Sequence, residues 1–443
     1  MQLNKKNNWI RYGYAIMILM FYTLQAGAQT ETMISLEEAK SKVRDKNKSL
    51  KLSQQDYAFA KAQYESTSAV LLPQIRLTNT STFTNNPLYA FGYKLLQREV
   101  TSADFDPIGL NDPGNVENFN TRIELMQPLI NVDGWKERKT AHLNLQAKNL
   151  QAERNNEYID LELTKTYMQL QLAHKAVEVM EKALETALQN QNWAKNNLEQ
   201  GLIQEADYLN MEVRVAEVEK NLQLSQSNVQ NVSEYLAFLM GEEINGNYRP
   251  SNELMLSEIQ AQDTFSLNQE RKDLKALQIS VEAQEQMLKS SKMSFIPRAN
   301  AVANYEWNDK TAFGFGANNY MVGLQLSWDI FSGYKNIGKI HQQQAMMEKS
   351  NIQQQKYVAE SEVELNKAKR QFSDAKHNIS LSELALKQSK EAFRITTNRF
   401  KQGLERSNDL LQAETKFYEK ELEQAQAIYN YNFTLAYLKF LTR

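Results

Sequence analysis

The chain contains no cysteine. That excludes disulfide staples and a lipid anchor on an N-terminal cysteine, so an exported form could be held at a membrane only by its own fold. Long apolar runs are also missing. Beyond the first thirty residues no stretch offers about eighteen consecutive apolar residues, which argues against a membrane-spanning helix. There is no excess of one charge: 51 Lys and Arg face 53 Asp and Glu, for a formal net charge of −2. The two signs are interspersed, so there is no electrostatic footprint for nucleic acid. Histidine is scarce. His142, His174, His341 and His377 come without a metal-binding or CxxC signature, and no G-x-S-x-G elbow, P-loop or dinucleotide fingerprint occurs. Nothing in the sequence supports an enzyme or a cofactor.

The N-terminus is a different kind of sequence. Lys5, Lys6 and Arg11 precede the apolar run Tyr14 to Phe21, and Ala26-Gly27-Ala28 supplies a small-x-small cleavage site. Residues 1–28 read as a signal peptide whose removal leaves Gln29 first. The apolar core is short for an anchor helix.

What the chain does have is helical periodicity, twice over. Leu365, Ala368, Phe372, Ala375, Ile379, Ser382, Leu386, Ser389, Phe393, Thr396 and Phe400 form a heptad seam in which large and small residues alternate. It stops at Gln402-Gly403-Leu404, a glycine C-cap signal, and a second helical pattern runs back from about Asn408. Leu163, Thr166, Leu170, Ala173, Val177, Met180, Leu184 and Ala187 repeat the seam, ending at Gln200-Gly201-Leu202. The offset is 202 residues, the interval from Gly201 to Gly403 and from Leu163 to Leu365. Asp207 and Asp409, Glu212 and Glu414, and Tyr235 and Tyr437 keep it. The chain is an internal duplication. Each long helix, from about Trp135 to Leu198 and from about Tyr334 to Phe400, would extend about 100 Å, longer than any globular core uses.

Upstream of each seam the pattern differs. Ser35-Leu36-Glu37-Glu38 is a capping box. It starts a helix that is expected to run on heptad spacing to Leu71 and to end before Pro73. Its counterpart is expected to begin near Leu267 and end before Pro297. After each proline the period falls to two: Ile75, Leu77 and Phe83; Phe119, Thr121, Ile123 and Leu125; Ala299 to Trp307; Tyr320, Val322, Leu324, Leu326 and Trp328. These runs have the length of tilted outer-membrane strands, with aromatics near their ends. Half-buried hairpins packed on the helices would show the same alternation. Four strands cannot close a barrel and open edges do not survive in lipid, so the chain must oligomerise; two copies give eight strands and three give twelve. Periodicity alone does not choose.

The organisation expected is therefore a signal peptide at 1–28, a first repeat at 29–240, a linker of little regular structure at 241–265 and a second repeat at 266–443. Asn85 to Asn118 reads as a long irregular outer loop. Within it Asp104, Asp106, Asn111 and Asp112 cluster oxygen ligands without the spacing of a calcium loop, as turn-forming residues also do.

Together these features resemble the TolC-like outer membrane efflux proteins. The residues that carry the resemblance are Leu71-Leu72-Pro73-Gln74-Ile75, Gln127-Pro128-Leu129-Ile130 leading to Gly134, Asp329-Ile330-Phe331-Ser332-Gly333 and the two tips. Asn86-Pro87-Leu88-Tyr89-Ala90-Phe91-Gly92 looks like versions of the family with a long first loop, as in Bacteroidetes-type bacteria. The resemblance covers essentially all of the chain after the signal peptide. It implies an α+β membrane protein: a homotrimer with a twelve-stranded β-barrel in the outer membrane lipid, continued by an α-helical barrel across the periplasm. It further implies an exit duct for tripartite efflux or type I secretion, with a periplasmic adaptor (membrane fusion) protein and an inner-membrane RND or ABC-type pump as partners. Adaptor docking falls on Gly201, Leu202, Gly403 and Leu404. The periplasmic gate falls on Asp409 and Asp207, with Phe400 at the aromatic position. Two positions depart from the family: Gln412 replaces a second gate acid and Glu405 stands where a locking arginine is expected. An exported coiled-coil structural or adhesive protein is the alternative, distinguished by forming no pores.

Overall fold

The computed structural model describes residues 31–244, 246–258 and 265–443. The expected signal peptide and part of the expected linker lie outside them. In chain order the elements are β1 (Thr32–Ile34), α1 (Leu36–Lys46), α2 (Lys48–Ser66), β2 (Gln74–Thr84), α3 (Pro87–Leu96), α4 (Pro107–Asn111), β3 (Val116–Ile130), α5 (Val132–Glu199), α6 (Glu205–Met240), β4 (Tyr248–Pro250), α7 (Lys272–Met293), β5 (Arg298–Asp309), β6 (Ala317–Ser327), α8 (Lys335–Lys401) and α9 (Ser407–Thr442). They form two compact units, described in turn. One comprises the chain up to Ser53, Arg154–Arg271 and Glu360–Arg443; the other comprises Gln54–Glu153 and Lys272–Ala359.

The first unit is almost wholly helical. Ser35 caps α1 as its sequence predicts: its hydroxyl accepts from the Glu38 amide while the Glu38 carboxylate accepts from the Ser35 amide at 2.8 Å. The helix does not run through, however. It breaks at buried Asn47, whose amide group donates to the Leu239 carbonyl at 2.7 Å and whose Oδ1 accepts from the Leu50 amide at 3.0 Å. Asn competes well with helical backbone through such local bonds, and the heptad count is blind to it. The seams are buried as their periodicity requires. Leu163, Tyr167 and Leu170 of α5 pack with Val43 of α1, Leu236 and Met240 of α6, and Ile34 and Tyr248. Leu365 and Ala368 of α8 pack with Leu438 and Leu441 of α9. The expected linker contains one element the sequence did not announce: β4 pairs in parallel with β1, Met33 opposite Arg249.

The second unit holds a four-stranded antiparallel sheet in the order β2-β3-β5-β6. Alternation assigns its faces. Ile75, Leu77, Tyr320, Val322, Leu324 and Leu326 are all largely exposed, Leu324 to 81%. The other face is polar: Arg122 reaches Glu306 at 2.7 Å, and Asn118 and Asn120 both donate to Asn308 Oδ1, at 2.9 and 3.0 Å. β2 and β6 each pair on one side only, so the sheet has two open edges. Aromatic pairs gather toward one end of the strands, Phe83 with Phe119 and Tyr305 with Trp307. β3, at 15 residues, is longer than the alternation suggested and bulges at Pro128, which has no amide proton for the ladder.

Three boundaries differ from the sequence reading. α7 begins at Lys272 rather than near Leu267. α5 begins at Val132, where Asn131 accepts from the Gly134 amide; a Cβ at Gly134 would meet that side chain at 2.8 Å. The outer loop is not irregular. It carries α3 and α4, each entered through proline at its first position with an Asx cap before it. Its acids are used as caps and ion-pair partners. Asp104 binds Lys94 at 2.8 Å and the Thr101 amide, and Asp106 caps α4 through the Gly109 amide. Among the described residues no group of three His, Cys, Asp or Glu is placed to hold a metal.

Candidate gate and docking tips

The two tips are built alike. At the end of α5 the Gly201 amide donates to Leu198 and the Leu202 amide to Asn197, both at 2.9 Å; at the end of α8 the Gly403 amide donates to Phe400 and the Leu404 amide to Arg399, again at 2.9 Å. This is a Schellman closure, and it needs a left-handed residue: φ is 72° at Gly201 and 74° at Gly403. The closure leaves Leu202 and Leu404 out in solvent, 67% and 60% exposed. Two equivalent leucines thus stand on equivalent glycine turns, and covering them would be worth about 2 kcal/mol per side chain.

Behind the turns the tips share one core. Phe400 packs with Ala194, Met211 and Leu410, and its ring centroid lies 4.6 Å from that of Trp193. The aromatic expected at the gate is thus an internal prop, 6% exposed, that joins one hairpin to the other. The expected acids behave differently from each other. Asp207, half-buried, accepts from the hydroxyl of buried Ser407 at the start of α9. Asp409 is exposed, and its carboxylate has no hydrogen bond or ion pair with any described residue. Gln412 follows it one turn later, also exposed. Glu405 accepts from Arg399 Nε at 2.7 Å, an ion pair within the second tip. The acid at the locking-arginine position is therefore neutralised locally. Asp409 is left as the free anionic group of that tip.

One member of the repeat has surroundings that its spacing does not indicate. Glu414, on α9, is fully buried. Arg214 Nε of α6 donates to one of its oxygens at 3.1 Å and Asn190 Nδ2 of α5 to the other at 2.9 Å. Burial pushes the carboxyl above its ordinary value, against the pull of Arg214 and Asn190. The only signal in the sequence was its place in the repeat, opposite Glu212, and that says nothing of burial.

The family model described as outer membrane efflux protein matches residues 40–242 and 266–442. No curated protein matches the chain in sequence. Solved structures do match in fold. A membrane protein from Pseudomonas aeruginosa superposes with a TM-score of 0.80 at 15% identity, covering 92% of this chain and 93% of its own. The CmeC outer membrane channel of Campylobacter jejuni gives 0.77 at 13%, covering 92% and 85%. The outer membrane protein VceC of Vibrio cholerae gives 0.76 at 16%, covering 92% and 96%.

Proposed function

The chain belongs to the outer membrane efflux protein family, and from that premise we propose that three copies of it form a passive exit duct for solutes delivered by an inner-membrane pump through a periplasmic adaptor. It is an outer membrane protein with its helical part in the periplasm, and its family and structural relatives are channels rather than enzymes. The observation that carries the duct is the sheet. It has one exposed apolar face, one polar face and two open edges. In lipid every strand edge must be paired, so the sheet is stable there only when it closes with copies of itself. Three copies bring twelve strands, with the apolar faces toward lipid and the polar faces around a lumen.

The duplication then supplies six tips at the periplasmic end. Gly201, Leu202, Gly403 and Leu404 form the adaptor contact. Asp409, repeated by threefold symmetry, makes a ring of acids at the closing point. Asp207 and Phe400 hold the two hairpins of one chain together beside it, and the Arg399–Glu405 pair occupies the position of the absent lock. The chain has two repeats, residues 29–240 and 266–443, joined by 241–265. The pump supplies the energy and the choice of cargo, in efflux or in type I secretion. The test is to extract the protein from outer membranes, determine its copy number by cross-linking and record conductance in a planar bilayer. Trimers that open discrete channels are expected; a water-soluble oligomer without pores would instead fit an exported coiled-coil protein and end the duct reading.

A further inference from the structure

The helix α3 in the first outer loop has the dimensions and attachments of a crossbar. Its ten residues span about 15 Å. The four strands at about 4.8 Å spacing span about 14 Å from first to last. It starts three residues after Thr84, where β2 ends at the end of the sheet remote from Gln74 and Ile130. Its far end is fixed on the other strands. Gln97 Nε2 donates to the Glu117 carbonyl at 2.7 Å and to Asn118 Oδ1 at 3.0 Å, both on β3. Arg98 Nη2 donates to the Asn318 carbonyl of β6 at 2.7 Å, and Glu99 pairs with Lys310, just past β5, at 2.9 Å.

The side of the sheet is also decided. Asn118, which Gln97 meets, belongs to the polar face with Asn120, Arg122, Glu306 and Asn308. Buried Ala90 and Gln97 mark the inner side of the crossbar, while Leu88, Tyr89, Leu95 and Leu96 line its outer side and are exposed.

We propose that α3 narrows the outer mouth of the duct, its apolar edge meeting the same edge of the neighbouring copies across the lumen. The inference rests on the three-copy duct, in which the polar face lines the lumen. A twelve-stranded barrel tilted about 40° has a backbone diameter of about 24 Å. Each crossbar is about 10 Å thick, so three of them, one per copy, take up most of that width. The mouth then admits small solutes, and its apolar constriction disfavours a continuous water column. Wide cargo passes only after the crossbars swing off the Gln97 and Arg98 attachments.

The absence of native cysteine permits a direct test on cells. Thr78 lies on the polar face opposite Arg122, inward of the crossbar. Thr78→Cys is introduced into the full chain, into a form with residues 87–113 replaced by a short Gly-Ser linker, and into a form carrying Gln97→Ala and Arg98→Ala in case the shortened chain does not assemble. Intact cells are treated with a small thiol reagent or with a maleimide on a bulky polymer, and labelling of this chain is followed by gel shift. The small reagent is expected to label all three forms, and the bulky one to label roughly tenfold faster once the crossbar is removed or released. Equal bulky labelling with and without the crossbar overturns this inference and leaves the duct intact. Failure of the small reagent in every form means the polar face is not water-filled, which overturns the duct reading and the crossbar with it.

Discussion

At Gly201 and at Gly403 the chain makes the same turn with the same bonds, yet the acids on the helices that follow meet different surroundings. Asp207 is tied to Ser407 while Asp409 is free. Glu414 is buried between Arg214 and Asn190; its repeat partner Glu212 is exposed and, among the described residues, accepts from Tyr208 at 2.7 Å. The cause is what lies beside each return helix. α9 has the first hairpin against it, and Tyr418 and Leu410 are buried there among residues of α5 and α6. Their counterparts on α6 at the repeat offset are half-buried Tyr208 and exposed Ala216, with Leu209 and Val213 exposed beside them in the single chain. Duplication copied the residues but not their neighbours. Half of a two-fold repeated contact is satisfied within the chain, and in the proposed assembly the other half is completed by the next copy.

Removing the buried half should give the largest effect. Glu414→Ala removes the buried carboxylate nearest Arg214, leaving it only the exposed Glu217 at 3.7 Å, and is expected to destabilise the fold by about 2–3 kcal/mol. Glu212→Ala in the single chain context changes stability by no more than about 0.5 kcal/mol. Thermal unfolding of the purified proteins, followed by circular dichroism, compares the two. Equal losses would mean that burial is not what separates the tips. The pH dependence tests the same point. Burial holds the Glu414 carboxyl above the ordinary glutamate value of 4.5. The native state therefore binds the proton more tightly than the unfolded chain does. This group's stabilising contribution is fully present below pH 4.5 and is lost as pH rises through the native value. Relative to Glu414→Gln, the wild type should gain in Tm as pH falls toward 4.5. A difference that stays flat, or runs the other way, contradicts the assignment.

Glycine replacement probes what the tips have in common. Around Gly201 and Gly403 a Cβ would meet nothing within 4 Å, so alanine there suffers only from the left-handed backbone. Each substitution should cost about 1 kcal/mol, and the two should agree. Unequal costs in the same unfolding assay would show that the turns are not equivalent.

The unsatisfied half yields a contact prediction. Adding the repeat offset to Arg214 gives Lys416, which is exposed and has no ion pair among the described residues. On the three-copy reading, Glu212 of one copy therefore faces Lys416 of the next. Glu212→Cys combined with Lys416→Cys should give a disulfide-linked trimer on gels, while either change alone should leave monomers. Cross-linking confined to one chain would break the symmetry argument.

How much of this was legible follows from which interactions are local. The capping box at Ser35, the glycine turns, the seams and the strand alternation are written in spacings of two to seven residues, and the structure has them. The break at Asn47 depends on the Leu239 carbonyl, 192 residues away, and the burial of Glu414 on partners 200 and 224 residues away. Phe400 was recognised as an aromatic of the tip, but its contact with Trp193 fixes it inside the core. The helices of the outer loop are signalled by Asn86-Pro87 and Asp106-Pro107, Asx caps before proline, a local cue that the irregular-loop expectation for 85–118 does not use.

The smallest effect on stability, and the one nearest to function, concerns the free acid. Asp409 is exposed and makes no hydrogen bond or ion pair with a described residue, so Asp409→Asn should leave unfolding within about 0.5 kcal/mol. Asp207→Asn weakens a charge-assisted bond to Ser407 and should cost about 1 kcal/mol. Channel block by multivalent cations applied from the periplasmic side should rank the two the other way. An acid that already shares its charge with a hydroxyl and sits half-buried attracts a cation poorly, whereas three unpaired carboxylates around an axis add their fields. Asp409→Asn is therefore expected to weaken the block severalfold and Asp207→Asn hardly at all. If Asp207→Asn weakens it as much, the first tip faces the axis too, and the constriction is a ring of six acids built from both halves of the repeat.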